Sequence, residues 1–114
     1  MYPIPDEKEL DFLIELEVIG ITFFQYTTII LLADSSIAIN GYKENFTAVG
    51  SLNNDVPLNE CLDDIISHKI ISLENDENKR LNLILDNQWK ISLSTEDEMY
   101  ECFTISSPKG TIVV

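Results

Sequence analysis

In Arg80-Leu81-Asn82-Leu83-Ile84-Leu85-Asp86-Asn87-Gln88-Trp89-Lys90-Ile91-Ser92-Leu93, two alternating runs of apolar and polar residues are separated by a polar turn. A period of two is typical of β-strands with one buried face. Asp, Asn and Gln at the centre suit a tight turn, because Asp and Asn tolerate left-handed backbone angles. The pattern predicts a β-hairpin in which Leu83, Trp89 and Ile91 are buried together. Asn82, Lys90 and Ser92 are expected to face outward or towards a second element.

A similar pattern occurs 52 residues earlier, in Thr28-Ile29-Ile30-Leu31-Leu32-Ala33-Asp34-Ser35-Ser36-Ile37-Ala38-Ile39-Asn40. At this spacing Asp34 aligns with Asp86, and Val18-Ile19 aligns with Ile70-Ile71. Ile29 and Leu31 align with Leu81 and Leu83, and Ile37 and Ile39 align with Trp89 and Ile91. The alignment predicts two similar halves that each contain a hairpin. Chance similarity between apolar strands is the alternative.

One helix is predicted near residues 57–66, because Pro57 suits a first helical turn and apolar residues follow at helical spacing. The apolar residues are Leu58, Cys61, Leu62, Ile65 and Ile66, and the polar residues expected to face outward are Asn59, Glu60, Asp63 and Asp64. Further strands are predicted at 12–24, 42–49, 69–73, 99–105 and 111–114, with a loop at 50–55. The expected fold is a single α+β domain, 1–114, made mainly of antiparallel β-sheet. A length of 114 residues suits one such domain with one core.

Charge is the unusual part of the composition. Twenty Asp and Glu residues against seven Lys and Arg residues give a formal net charge of −13. This charge disfavours direct binding to nucleic acid or to an anionic membrane, and it favours a cationic partner. The alternative is that the acids only keep the protein soluble. We find no signal peptide and no apolar run approaching the ~20 residues of a membrane span, so a cytoplasmic location is expected.

The sequence contains no recognisable catalytic constellation. His68 is the sole histidine and has no nucleophile motif beside it. Asp63-Asp64 and Glu96-Asp97-Glu98 lack the spacing of a metal-binding loop, and the two cysteines, Cys61 and Cys102, have no metal-ligand spacing. We therefore expect a protein that is not an enzyme and that has no cofactor and no metal.

The end of the chain resembles a family of small acidic bacterial proteins. The resemblance covers about Leu81 to Val114, with its motifs in Tyr100-Glu101-Cys102-Phe103-Thr104-Ile105, Pro108, Gly110 and Ile112-Val113-Val114. Members of the family are similar to the immunity partners of polymorphic or contact-dependent growth inhibition toxins. The chain departs from the family pattern at Gln88 and Cys102. The resemblance implies an immunity protein that binds a cognate toxin C-terminal domain.

The charge and the resemblance together predict a non-catalytic inhibitor of a toxin, with a basic nuclease as the expected partner. An acidic inhibitor can occupy the surface with which such a toxin holds phosphates. The candidate contacts are all acidic and are Glu60, Asp63, Asp64, Asp76, Glu77, Glu96, Asp97 and Glu98. Two alternatives remain open: an acidic mimic of nucleic acid, and a self-assembling structural module. The chain is expected to be a monomer or a homodimer.

Overall fold

The computed structural model describes residues 7–40, 48–76, 80–94 and 103–114. Ten strands form two antiparallel five-stranded sheets, as the predicted fold class requires. The first sheet has the order β1-β2-β3-β9-β10 and the second has the order β5-β4-β8-β7-β6. The strands are β1 Val18–Phe23, β2 Thr27–Leu32, β3 Ser36–Asn40, β4 Ala48–Ser51, β5 Asp55–Pro57, β6 Ile70–Asp76, β7 Arg80–Leu85, β8 Lys90–Ser94, β9 Phe103–Ser107 and β10 Gly110–Val113.

The predicted hairpin is confirmed as β7 and β8. Leu83 pairs with Ile91 across the two strands, and both side chains are fully buried. Trp89 is half-buried and packs against the same core. Gln88 has a φ of 76°, which is the left-handed conformation that the polar turn was expected to need. Alternation along the two strands therefore places one apolar row in the core.

A single hydrophobic core lies between the sheets. It is built from the apolar rows of both sheets and from Leu10, Leu13 and Ile65 of the helical segments. Phe103 is among the largest fully buried side chains. Because each sheet has one apolar face, packing the two faces together removes both from water, which is the dominant favourable contribution to folding.

The helix predicted near 57–66 is present but is divided into two short pieces. A 3₁₀ helix spans Leu58–Glu60 and α1 spans Leu62–Ile65, with Cys61 between them. Pro57 belongs to β5. Of the apolar residues at helical spacing, Leu58, Cys61 and Ile65 are buried and Leu62 and Ile66 are half-buried. The predicted outward positions are confirmed, because Asn59, Glu60, Asp63 and Asp64 are exposed.

A longer 3₁₀ helix spans Glu7–Leu13. The prediction of a strand over 12–24 was wrong at its start, because this helix continues to Leu13 and β1 begins only at Val18. Glu15 has a φ of 76° between them, which interrupts the extended conformation. Tertiary packing of Leu10 and Leu13 against the core outweighs the strand propensity of the segment.

The two halves of the chain meet through reciprocal hydrogen bonds. The backbone N of Glu15 donates to Ile70 O at 2.7 Å, and the N of Ser67 donates to Val18 O at 2.7 Å. Glu15 and Ser67 are 52 positions apart, as are Val18 and Ile70, and Ser67 also has a positive φ of 74°. An isolated bridge between Glu17 and Lys69, again 52 apart, lies between these bonds. The halves are therefore related by an approximate twofold axis near this bridge.

The pairing of the strands shows that the two halves remain equivalent beyond this bridge. The spacing between equivalent residues, however, does not stay at 52. Val18 in β1 and Ile70 in β6 both begin a strand with a β-bulge, and their spacing is 52. Each later pair of equivalent strands is one residue further apart. The equivalent residues are Leu31 and Ile84 at 53, Ser36 and Lys90 at 54, Ser51 and Ser106 at 55, and Asp55 and Thr111 at 56. The alignment of Ile29 and Leu31 with Leu81 and Leu83 was wrong, since their equivalents are Asn82 and Ile84. The alignment of Ile37 and Ile39 with Trp89 and Ile91 was also wrong, since their equivalents are Ile91 and Leu93.

The halves also exchange their last two strands. In the first half β1, β2 and β3 form part of the first sheet, whereas β4 and β5 join the second sheet beside β8. In the second half β6, β7 and β8 form part of the second sheet, whereas β9 and β10 join the first sheet beside β3. Neither sheet is thus formed by one half alone. The loop predicted at 50–55 is shortened to 52–54, between β4, an internal strand, and β5, an edge strand. Of the strands predicted at 42–49 and 99–105, residues 42–47 and 99–102 lie outside the described residues.

Candidate functional site

The helix segment presents three carboxylates to solvent. Glu60, Asp63 and Asp64 are all exposed, and the ion pairs found among the described residues include none of them. Asp86, also exposed, lies next to Asn87, whose side-chain nitrogen donates to the Asp64 carbonyl at 2.7 Å. We call Glu60, Asp63, Asp64 and Asp86 the acidic surface. The turn between β7 and β8 therefore lies against the end of the helix and extends its charge.

Buried neighbours hold the acidic surface in place. Leu58, Cys61 and Ile65 anchor the helix segment in the core, and Gly50 of β4 lies directly beneath it. A side chain at Gly50 would collide with the Cys61 sulfur, so the absence of one lets the helix approach the sheet. Burial, followed by the charge of Asp64, raises the pKa of the Cys61 thiol, which keeps it protonated and unreactive.

His68 pairs with Asp86 in a contact that the sequence analysis did not find. His68 Nδ1 and Asp86 Oδ1 are 2.6 Å apart, and the backbone N of Lys69 donates to Asp86 Oδ2 at 3.3 Å. The hydrogen bond from His68, and then that from Lys69, lowers the pKa of Asp86, so the carboxylate stays ionised. The two residues are separated by 17 others, and no local pattern links them.

The His68–Asp86 pair joins the turn between β7 and β8 to the segment before β6. In the described part of the chain, no serine, threonine or cysteine side chain is hydrogen-bonded to His68. Asp86 N also donates to Lys69 O at 2.9 Å, so both ends of the contact fasten the turn to the segment before β6. The pair therefore holds Asp86 beside the helix. Over residues 7–40, 48–76, 80–94 and 103–114 we find no group of three or more His, Cys, Asp or Glu residues able to hold a metal ion.

The structure brings only some of the predicted contact residues together. Glu60, Asp63 and Asp64 share the acidic surface. Asp76 is exposed at the end of β6, on a different element. Glu77, Glu96, Asp97 and Glu98 lie outside the described residues. Within the described ranges, no helix is long and apolar enough to cross a membrane.

The outer face of the second sheet is charged. Its rows include Asp55, Glu74, Asp76, Arg80 and Lys90. Lys90 Nζ lies 3.6 Å from Glu74 Oε2, although β7 separates their strands. Arg80 Nη2 lies 3.5 Å from Asp55 Oδ2, although β8 and β4 separate theirs. Because flat neighbouring strands are about 4.8 Å apart, the second contact requires this face to curve inward.

Two polar side chains are buried at the centre of that curved face. Asn82 is 8% exposed and Ser92 is 4% exposed, and they pair across β7 and β8. The Asn82 side-chain oxygen is buried and has no hydrogen-bond partner among the described residues. The prediction that both residues turn away from the main core is confirmed by their register, since Leu81, Leu83, Ile91 and Leu93 occupy the opposite rows.

The outer face of the first sheet differs, because its described residues carry no charge. Leu31 of β2 is exposed and therefore lies on this outer face. The residues that share its face on the other strands follow from the cross-strand pairing. We call this the uncharged face, and it consists of Gly20, Thr22, Thr27, Ile29, Leu31, Ser36, Ala38, Thr104, Ser106, Thr111 and Val113. Phe24 continues the β1 row into the turn and is 57% exposed. Tyr26, in the same turn, is 53% exposed.

A scan against protein-family models and searches of curated proteins and of solved structures found no match to this chain. The resemblance to toxin immunity proteins therefore stays a prediction from the sequence.

Proposed function

We propose that this protein is a non-catalytic immunity protein that binds a cognate bacterial toxin domain, with a basic nuclease as the expected partner, and blocks its active or substrate-binding surface. The observation that carries the proposal is the acidic surface. Glu60, Asp63 and Asp64 are exposed on an anchored helix segment, and no described cation neutralises them. A net charge of −13 adds a long-range field of the same sign.

Fixed carboxylates suit the inhibition of a phosphate-binding enzyme. A nuclease holds its substrate with Lys and Arg side chains, and carboxylates that approach the same side chains exclude the phosphates. The helix segment is anchored by buried Cys61 and Ile65, and the turn that carries Asp86 is fastened by His68. Binding would therefore require little ordering of the acidic surface, which reduces the entropic cost of association.

Electrostatic steering predicts a particular dependence on salt. The Debye length falls from about 10 Å at 0.1 M salt to about 3 Å at 1 M, so the association rate constant should fall steeply over this range. The dissociation rate should change less, because contacts already removed from water at the interface centre are weakly screened.

The test measures association with the toxin domain encoded beside this gene. The variant Asp63→Lys with Asp64→Lys is compared with the matched control Glu9→Lys with Asp11→Lys, which changes the net charge equally at exposed positions outside the ion pairs of the described residues. We expect the first variant to slow association at least tenfold at low salt and the control to slow it by less than threefold. Thermal unfolding of both variants checks that they remain folded.

An association rate that is equal in both variants and independent of salt would contradict the proposal. Inhibition of several unrelated nucleases with similar strength would instead favour the acidic nucleic-acid mimic. Growth of cells that produce the toxin domain together with this protein, and arrest of cells that produce the toxin alone, would establish the immunity role directly.

A further inference from the structure

We infer that the uncharged face of the first sheet binds a second copy of this chain and forms a homodimer. The twofold relation between the halves supplies an internal comparison, because each position on this face has a structural equivalent on the outer face of the second sheet. Four of those equivalents are charged, and so is the equivalent of Phe24, which continues the β1 row into the turn. Asp55, Glu74, Asp76, Arg80 and Lys90 correspond to Thr111, Thr22, Phe24, Thr27 and Ser36 respectively.

The fold itself does not require the absence of charge. The same backbone arrangement holds ionised side chains at the equivalent positions of the second sheet, where Lys90 pairs with Glu74 and Arg80 pairs with Asp55. In a chain in which 24% of the residues are charged, a sheet face whose described residues carry no charge is unusual for a surface that meets only water. Exposed apolar patches mark interaction sites on soluble proteins, and Leu31, Phe24 and Tyr26 are exposed on or beside this face.

The uncharged face is the surface through which two copies of so acidic a chain can meet. Two molecules with a net charge of −13 repel each other wherever their carboxylates meet. Contact through the uncharged face keeps those carboxylates at the rim or on the far side. A cationic partner would gain nothing from this face, because the acidic surface offers the complementary charge.

The size of the face suits a modest dimer. Five strands about 4.8 Å apart and four to five residues of about 3.4 Å cover roughly 24 by 16 Å, or about 400 Å². Phe24 and Tyr26, each more than half exposed, add about 200 Å² if such side chains bury 150–250 Å² in full. The sum of about 600 Å² per copy reaches the lower end of specific interfaces, which bury about 600–1,000 Å² per partner.

The contact is expected to pair the same patch on both copies around a twofold axis, as most soluble homodimers do. Leu31 and Ile29 supply apolar area on β2, next to the edge strand β1. Threonine and serine side chains on the neighbouring rows are short, so two such faces can approach to the spacing of about 10 Å that stacked sheets adopt.

Sedimentation equilibrium of the full chain tests the inference over a concentration series. The mass should rise from 13.0 kDa towards twice that value as concentration increases. The variant Thr22→Glu with Thr111→Asp installs the side chains found at the equivalent positions of the second sheet, Glu74 and Asp55, so it should remain folded. We expect its dimer dissociation constant to rise at least tenfold. The control Ser72→Glu with Ser51→Asp makes the same charge change on the other sheet. It should change the dimer dissociation constant less than twofold.

Salt distinguishes this contact from the proposed binding of a cationic toxin. Dimer formation should strengthen between about 0.1 M and 1 M salt, because screening reduces repulsion between like-charged copies, whereas binding of a basic partner should weaken. A monomer at every concentration, equal effects of the variant and the control, or a dimer weakened by salt would each overturn the inference. None of these results depends on whether the toxin assay succeeds.

Discussion

Adding a methyl group at Gly50 should loosen the helix segment that carries the acidic surface. Gly50 lies in β4 opposite Ile91, on the row that faces the core. A Cβ atom there would collide with the Cys61 sulfur, and it would lie 3.2 Å from Ile65 Cδ1 and 3.5 Å from Trp89 Cζ3. Gly50→Ala therefore forces Cys61 and Ile65, the two buried anchors of the segment, away from the sheet.

The expected change in the free energy of unfolding caused by Gly50→Ala is the balance of two effects. Overpacking a core by one methyl group costs about 1–3 kcal/mol. Replacing glycine by alanine recovers roughly 0.5–1 kcal/mol, because the unfolded chain has less conformational freedom to lose. The net loss in the free energy of unfolding should be about 1–2 kcal/mol, which lowers the melting temperature by about 4–8 °C for a domain of this size.

Making Gly50→Ala in the Cys61→Ala variant isolates the effect of the collision with the Cys61 sulfur. Removing the sulfur leaves room for the new methyl group, and the contact with Ile65 then needs a shift of only a few tenths of an ångström. Gly50→Ala should therefore be close to neutral in that background, with a coupling free energy of about 1–2 kcal/mol in the double-mutant cycle. Chemical denaturation of the four proteins measures it. Additive effects of the two substitutions would refute the argument from close contact.

Two further predictions concern the turn between β7 and β8 and the junction between the halves. Asp86→Asn should destabilise the protein at neutral pH, and the difference in stability from the wild type should vanish in acid. The reason is that the pKa of Asp86 is lowered in the folded protein. The resulting stabilisation is complete above the ordinary aspartate pKa of about 3.9 and is lost as the pH falls through the lower folded-state value. Denaturation curves at pH 7 and below pH 3 check this, and an equal difference at both pH values would contradict it. Glu15→Gly and Ser67→Gly should each stabilise the protein by about 0.5–1 kcal/mol. A left-handed conformation costs a residue with a Cβ about 1–2 kcal/mol, and glycine removes this cost. Part of the gain is lost because the unfolded chain is more flexible at a glycine. Thermal unfolding measures both, and stabilisation at one site without the other would argue against their equivalence.

Local alternation was enough to identify the central hairpin and its buried rows. Leu81, Leu83 and Leu85 alternate with polar or less buried residues, and a strand must turn such residues to one face. The helical spacing of Leu58, Cys61 and Ile65 likewise predicted which acids face outward. These features depend on neighbours within a few residues, which a single sequence records directly.

The sequence alignment of the halves was correct only where no turn intervened. The spacing of 52 holds from Glu15 to Phe23, and it grows by one at each later strand because the intervening connections differ in length. Turn length changes register without leaving a periodic signal in the strands. Only the pairing of whole strands reveals the accumulated shift.

What the sequence by itself determined is therefore the antiparallel hairpins, the apolar rows and the excess of carboxylates. Tertiary structure alone decided the exchange of β4–β5 and β9–β10 between the sheets, the contact of His68 with Asp86, and the gathering of uncharged residues on one face. Thr22 and Thr111 show the reason, since they belong to opposite edges of one sheet and are 89 positions apart in the chain. Periodicity assigns a side chain to one of two faces of its own strand, but the order in which strands join a sheet is set by packing between residues distant in sequence.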